Sequence, residues 1–256
     1  AFQSELIKNQ DVDNVNVVYG KLEDFELILR TINEYEIDSV FHLAAQTIVP
    51  TANRNPLSTF DSNIKGSWNL LEACRLTNTV KRIVVASTDK AYGTQEVLPY
   101  NEEMELKGIF PYDVSKVCTD LISQSYFKTF NLPVSITRCG NIYGPGDLNF
   151  SRIVPGALKA AILNEKLEIR SNGKFIRDYV FMDDVVEGYL KIAEQINITK
   201  GEVFNLSTKN KLNVLEVVDK ISKVINKKID IEILDIVKNE IKDQYLSSEK
   251  AKKILK

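Results

Sequence analysis

Tyr112-Asp-Val-Ser-Lys116 sets a phenol and an ammonium four residues apart, the spacing that puts two side chains on one face of a helix. A lysine ammonium beside a tyrosine hydroxyl favours the phenolate and lowers its pKa from about 10 towards neutrality. Such a tyrosine is a general base, able to take a hydroxyl proton while hydride leaves the same carbon. Alone the motif says little, because tyrosine and lysine are ordinary residues on a solvated helix. Upstream, however, the β-branched run Arg82-Ile-Val-Val-Ala-Ser87 ends in Thr88-Asp89-Lys90-Ala91-Tyr92-Gly93. Polar side chains just past the carboxyl end of a buried strand stand where α/β sheets place their active sites. A capped surface turn accounts for one such residue, not for Ser87, Thr88, Asp89 and Lys90 in succession.

The elements that must hold these groups alternate short apolar runs with long amphipathic ones, the pattern of a parallel sheet covered by helices. The expected strands are Val15–Tyr19, Ser39–Leu43, Arg82–Ser87 and Val134–Arg138. The expected helices are Asp24–Tyr35, Ser58–Leu76 and Tyr112–Phe130. Beyond Gly144-Pro145-Gly146 the elements become shorter and mixed. Helices are expected at Ser151–Asn164, Asp183–Gln195 and Asn213–Ile225, and strands at Asp178–Phe181 and Glu202–Leu206. The fold class is therefore α/β, a doubly wound, Rossmann-like parallel sheet with a smaller mixed lobe. Residues 1–145 form the first unit and 146–256 mainly the second, with the chain crossing back near 178–206. No Gly-x-Gly-x-x-Gly turn occurs in the 256 residues, and Ala251–Lys256 stops mid-pattern for a helix. The expectation is truncation at both ends, with the first strand-turn-helix missing.

Composition narrows the function classes. With Lys+Arg 33 and Asp+Glu 35 the net charge is -2, which gives no basis for binding nucleic acid. No apolar run approaches membrane-spanning length, and no signal-peptide pattern opens the chain. Cys74, Cys118 and Cys139 have no metal-ligand spacing and His42 is the only histidine, so neither a zinc site nor a Ser-His-Asp triad is expected. Free thiols and an absent leader make the cytoplasm the expected location. His42, in a buried strand, reads as a structural hydrogen-bonder.

Taken together, these motifs resemble the extended short-chain dehydrogenase/reductase family, whose members epimerise, dehydrate or reduce sugar nucleotides with a tightly held NAD. His42-Leu43-Ala44-Ala45-Gln46 resembles the strand-end segment that lies along the cofactor. Asn63-Ile-Lys-Gly66 resembles the helix segment that supports the active site. Gly140–Gly146 resembles the loop entering the substrate lobe, and Arg177–Asp184 a later phosphate-contacting segment. The resemblance implies cofactor contacts from Leu43, Ala44, Ala45, Gln46, Asn63, Ser87, Tyr112 and Lys116. It implies substrate contacts from Asn141, Arg152, Arg177, Gln244 and Tyr245, and a homodimer formed through the two long helices.

The pair Asp89-Lys90 resembles CDP-glucose 4,6-dehydratases, as do Ala52–Ser58, Gly146–Ile153, Ile169–Gly173 and Gln244–Ser247. The implied catalytic set is Thr88, Asp89, Lys90, Tyr112 and Lys116. Tyr112 takes the C4 hydroxyl proton with help from Lys116, and Thr88 holds the C4 oxygen. Lys90 removes the C5 proton and Asp89 protonates the leaving C6 hydroxyl. A UDP-sugar 4-epimerase, which needs no acid beyond the tyrosine, and a non-catalytic family member are the alternatives. Lys21 stands where the family usually carries an aspartate that contacts adenine, and lysine cannot accept that hydrogen bond. With the Gly-rich turn absent as well, weak or absent NAD binding is expected of these residues alone.

Overall fold

Runs such as Ile83-Val-Val hide both faces of a strand, so the chain must supply a layer on each side. The computed structural model describes residues 15–236 and 241–256. Along these, β1 (Ser39–His42), β2 (Arg82–Ala86) and β3 (Val134–Cys139) precede β4 (Asn141–Tyr143), β5 (Leu167–Ile169) and β6 (Ile176–Phe181). Then come β7 (Val203–Leu206), β8 (Lys211–Asn213), β9 (Ile231–Ile233) and β10 (Asp243–Gln244). The helices are α1 (Phe25–Glu34), α2 (Val49–Arg54), α3 (Pro56–Phe60), α4 (Gly66–Leu76) and α5 (Pro111–Phe130). They continue with α6 (Ile153–Leu163), α7 (Met182–Glu194), α8 (Ile196–Thr199), α9 (Val214–Val224) and α10 (Glu249–Leu255).

β1, β2, β3 and β7 form an all-parallel sheet in that order, the Rossmann-like α/β core. Ile83, Val85 and Val134 pack against Ile28 and Ile32 of α1 and Leu71 and Cys74 of α4. Val84, Cys139 and Phe204 turn to the other layer, against Val185 and Ile192 of α7 and Leu255 of α10. Each such fully buried aliphatic side chain contributes roughly 1.5–3 kcal/mol. β6 lies parallel to β4 and β10 and antiparallel to β8, while β5 pairs with β9 beneath α6 and α9. Gly140 joins the two sheets: a Cβ there would stand 2.9 Å from that of Asp178, so only glycine lets β3 pass so close to β6.

Most expected elements are present within a residue or two. Asp24 caps α1 by accepting from Leu27 N, and Asn213 and Glu216 form a capping box on α9. Val15–Tyr19 is a correction. It is no strand, and Val17 and Tyr19 are 60% and 90% exposed, because no described strand lies beside it to complete a ladder. The helix expected at Ser58–Leu76 is a composite, with a π-helical stretch, Asp61–Lys65, between α3 and α4. β4, β5, β8, β9 and β10 are two or three residues long, too short for alternation to show. Among the described residues no helix is long and apolar enough to cross a membrane.

One charged pair lies inside this core. Arg138, next to the last residue of β3, meets Asp120 of α5 through two hydrogen bonds, Nε to Oδ2 at 2.8 Å and Nη2 to Oδ1 at 3.0 Å. Their side chains are 3% and 0% exposed. Removing one partner leaves the other charged and dry, so Asp120→Ala should cost about 3–5 kcal/mol in urea unfolding. A loss below about 1 kcal/mol would show that water reaches the pair.

Candidate active site

Pro111 at the first turn of α5 starts the helix where Tyr112 and Lys116 fall on its inner face, 8% and 4% exposed. Lys116 Nζ donates to the carbonyl of Ala86, the last residue of β2, at 2.6 Å. Burial brings its pKa down to about 8, opposed by Asp120 one turn along the helix. The expected lowering of the Tyr112 pKa is corrected: burial pushes the phenol well above its ordinary value, with the Thr88 hydroxyl beside it only partly opposing that. Desolvation of an uncompensated phenolate outweighs the four-residue spacing. His42 is kept neutral, its pKa brought down to about 3 by burial and by Lys116. Its Nε2 lies 2.9 Å from the Ser67 hydroxyl, the structural role expected of it.

The turn after β2 brings Thr88 and Asp89 to the start of α5. Thr88 Oγ1 accepts from Lys90 N and donates to Asp89 Oδ1 at 3.1 Å, while Asp89 Oδ2 is buried with no partner. Burial pushes the Asp89 carboxyl up to about 6, with Lys90, the Thr88 hydroxyl and Arg177 opposing it. The Ser87 hydroxyl is likewise buried and unpaired. Gly93 closes the turn at φ +62, where a Cβ would lie 2.1 Å from the Lys107 carbonyl oxygen. Lys90 is half-buried, and its charge is felt by Asp113 of α5, whose carboxyl burial pushes up.

Leu43 is 57% exposed, so the chain leaves the carboxyl end of β1 into open space. Gln46 is pinned there: its N–H donates to Asn63 Oδ1 at 2.7 Å, and Asn63 Nδ2 donates back to its carbonyl at 3.1 Å. Asn63 Nδ2 also donates to Ser115 Oγ on α5, and the Asn63 carbonyl accepts from the Ser67 and Thr119 hydroxyls. The π-helical stretch thus turns Asn63 into a bracket between β1 and α5. For a dinucleotide along Leu43, Ala44, Ala45 and Gln46, the unpaired Ser87 hydroxyl and the Lys116 ammonium fit the nicotinamide–ribose end. Lys21 is exposed and lies outside any helix or strand.

The remaining candidates come from the second lobe. Asn141 opens β4 opposite Tyr179. Arg152 precedes α6, with Nη1 donating to Asp147 Oδ2 at 2.8 Å and Nη2 to the Ile142 carbonyl, and its charge reaches Tyr112. Arg177, 7% exposed in β6, donates to the carbonyls of Ile176 and Lys242 at 2.8 and 2.9 Å. Gln244 stands opposite it in β10, buried, with Nε2 unpaired. Tyr245 is half-buried, with Lys211 Nζ 4.7 Å from its ring centre. The geometry therefore groups Thr88, Asp89, Lys90, Tyr112 and Arg177, with Arg152 within electrostatic reach. Sequence reading missed Asp113, Tyr92, Asn205 and the Asp120–Arg138 pair. One signal was available, a lone arginine inside the otherwise uncharged strand Val134–Cys139.

Known proteins resemble the chain along most of its length. The family model described as GDP-mannose 4,6 dehydratase matches residues 3–255. The dTDP-D-glucose 4,6-dehydratase of Dictyostelium discoideum is 33% identical over 81% of this chain and 50% of its own length. The CDP-glucose 4,6-dehydratase of Salmonella typhimurium is 29% identical over 78% and 58%. The UDP-glucuronate 4-epimerase of Thermodesulfobacterium geofontis is 30% identical over 91% and 71%. Against the first curated relatives the chain spans from 36% to 58% of their length. The crystal structure of Bacillus anthracis dTDP-glucose 4,6-dehydratase in complex with NAD superposes with a TM-score of 0.84 at 28% identity, covering 96% of this chain and 75% of that one. Motifs, fold and match agree: the chain belongs to the GDP-mannose 4,6-dehydratase family of extended short-chain dehydrogenases, the group that holds these nucleotide-sugar dehydratases and epimerases.

Proposed function

We propose that this chain carries the catalytic centre of a nucleotide-sugar 4,6-dehydratase acting on CDP-glucose and yielding a CDP-4-keto-6-deoxyglucose. The observation that carries this is Asp89. It is buried, one carboxyl oxygen is unpaired, and its pKa is pushed up to about 6 beside Thr88 and Tyr112. A 4-epimerase has no use for a carboxylic acid here, whereas loss of water across C5 and C6 needs one. Bound NAD supplies the acceptor, and later the donor, of the hydride exchanged with the sugar. Leu43, Ala44, Ala45, Gln46, Asn63, Ser87 and Lys116 would hold it.

Tyr112 is the group placed to take the proton from the C4 hydroxyl, which requires that a bound positive charge offset the burial that disfavours its phenolate, and Thr88 holds that oxygen. The resulting ketone acidifies the C5 proton, which Lys90 removes, while Asp89 protonates the C6 hydroxyl as it leaves as water. The hydride taken from C4 then re-enters at C6 and Lys90 gives its proton back to C5, so no net redox change results. Arg152 and Arg177 supply positive charge for the diphosphate, with Asn141, Gln244 and Tyr245 closing on the substrate. A hollow of about 470 Å³ between Gly144–Asp147 and α6 is lined by Asp147, the partner of Arg152, and has room for a base. The cytosine preference rests on the resemblance of the Asp89-Lys90 pair. The reading includes a cytoplasmic homodimer through α4 and α5, on which Trp68, Leu121 and Phe130 remain 43%, 53% and 51% exposed. Sedimentation as a monomer would remove that part.

The test incubates the whole gene product with NAD and CDP-, dTDP-, GDP- or UDP-glucose and follows product mass. Loss of one water, fastest with the CDP sugar, is expected. Unchanged mass with altered configuration at C4 would make the protein an epimerase. For residues 1–256 alone, no saturable NAD binding is expected below about 1 mM by calorimetry, and stoichiometric binding would overturn that.

Asp89→Asn separates activity from stability. Turnover should fall about 10²–10⁴-fold with loss of the acid. The Asp89 pKa is raised in the folded state, so its stability is intact below the ordinary carboxylate pKa and is lost as pH rises through about 6. The neutral amide escapes that loss, so Asp89→Asn should be more stable than the parent by about 3 kcal/mol at pH 8 and equal to it near pH 4. Urea titrations at the two pH values check this. A variant less stable at pH 8 would show that the carboxylate is compensated.

A further inference from the structure

We propose that Arg138 is a positioning residue that locks the turn carrying Asp89 to the helix carrying Tyr112 and Lys116. The inference rests on reading Asp89 as the acid.

Three elements meet on this one guanidinium. Nε and Nη2 grip Asp120, which lies one turn beyond Lys116 on α5. Nη1 donates to the Tyr92 hydroxyl at 2.8 Å, and the guanidinium carbon sits 4.7 Å over the Tyr92 ring. Tyr92 ends the single 3-10 turn, Asp89–Tyr92, that begins with the acid. Its hydroxyl then donates to Asn205 Oδ1 on β7 at 2.7 Å, and Asn205 Nδ2 donates to the Tyr100 carbonyl. Gln124 Nε2 donates to Asp120 from the next turn of α5 at 2.7 Å.

Stability alone does not account for this arrangement. A buried ion pair can often be replaced by apolar residues of similar volume without loss of stability. What apolar side chains cannot do is fix an angle. A planar guanidinium with a hydrogen bond from each of its three nitrogens sets the helix, the strand and the turn at fixed distances. The acid on the turn and the base on the helix must reach the C6 and C4 oxygens of one sugar, so an error of about 1 Å between them is costly. The same pair reaches Lys116, because Asp120 opposes the lowering of its pKa by burial.

Tyr92→Phe tests the coupling without emptying the core, since the ring stays and only the hydroxyl link is cut. The readout is the Asp89 side-chain carboxyl in ¹³C NMR, assigned by its absence in Asp89→Asn and titrated in the whole gene product without substrate. Asp89 faces Lys90 on its own turn, Arg177 and Asp178 from β6, Tyr112 from α5, Cys139 from β3 and Tyr100 from the following loop. None of these is changed by the substitution. A loosened turn admits water, so the Asp89 midpoint should fall by about one pH unit. Turnover should fall about tenfold to a hundredfold with KM within about twofold. Arg138→Lys, which keeps the charge but not the fork, should move both in the same direction. An unmoved Asp89 midpoint in both variants overturns the proposal, whatever happens to the melting temperature. A moved midpoint in a protein that removes water from no nucleotide sugar upholds the coupling and removes the dehydratase reading.

Discussion

Polar groups leave water at the carboxyl edge of a parallel sheet only where neighbours replace that water, and this requirement sorts the residues around α5 into two sets. His42, Asn63, Ser67 and Thr119 satisfy one another between β1 and α5 through short hydrogen bonds, and Asp120 pairs with Arg138 between α5 and β3. Ser87 Oγ, Asp89 Oδ2 and Gln244 Nε2 are as deeply buried and have no partner. They belong to the end of β2, to its turn, and to the strand beside Arg177, the places where the other candidate groups collect. Thr79 Oγ1, Arg82 Nε, Asp178 Oδ1 and Ser248 Oγ are also buried without a partner, so it is the position of Ser87, Asp89 and Gln244 among the candidate groups, and not lack of a partner alone, that suits them to groups the protein chain does not supply.

Asp89 shows what that openness costs. Its carboxyl is held where the charged form is disfavoured, so near neutrality the protein keeps a group that opposes folding whenever it ionises. The same burial that raises the pKa makes the group a proton donor at working pH. Stability near neutrality and the carboxyl's pKa are therefore set by one variable, the access of water to a single group, and they move in opposite directions when it changes.

Much of the fold was legible because its signals are local. The β-branched strands, the Asp24 and Asn213 caps and the Tyr112–Lys116 spacing depend only on near neighbours in sequence. What was not legible depends on partners far along the chain. Val15–Tyr19 has the composition of a strand, but pairing decides whether it is one. The π-helical stretch at Asp61–Lys65 follows from what Asn63 must reach, Gln46 on one side and Ser115 on the other. The electrostatics of Tyr112 failed for the same reason. Spacing brought Lys116 to its face of the helix, but burial outweighed that charge, and the lysine's hydrogen bond goes to the Ala86 carbonyl.

The relatives divide between dehydratases and epimerases in one family, so the fold alone does not decide the chemistry. Oxidation at C4 needs only a base and a place for hydride, the roles that the proposed reading gives to Tyr112 and to bound NAD. The choice between returning the hydride to C4 and first expelling water turns on whether an acid stands near C6, which makes the Thr88-Asp89-Lys90 turn the part of the molecule that carries information beyond the fold. That turn ends in Tyr92, which bonds the same arginine that holds α5. On the proposed reading, the residues that select the reaction are anchored by residues that take no part in it, which leaves the turn free to change while its frame stays intact.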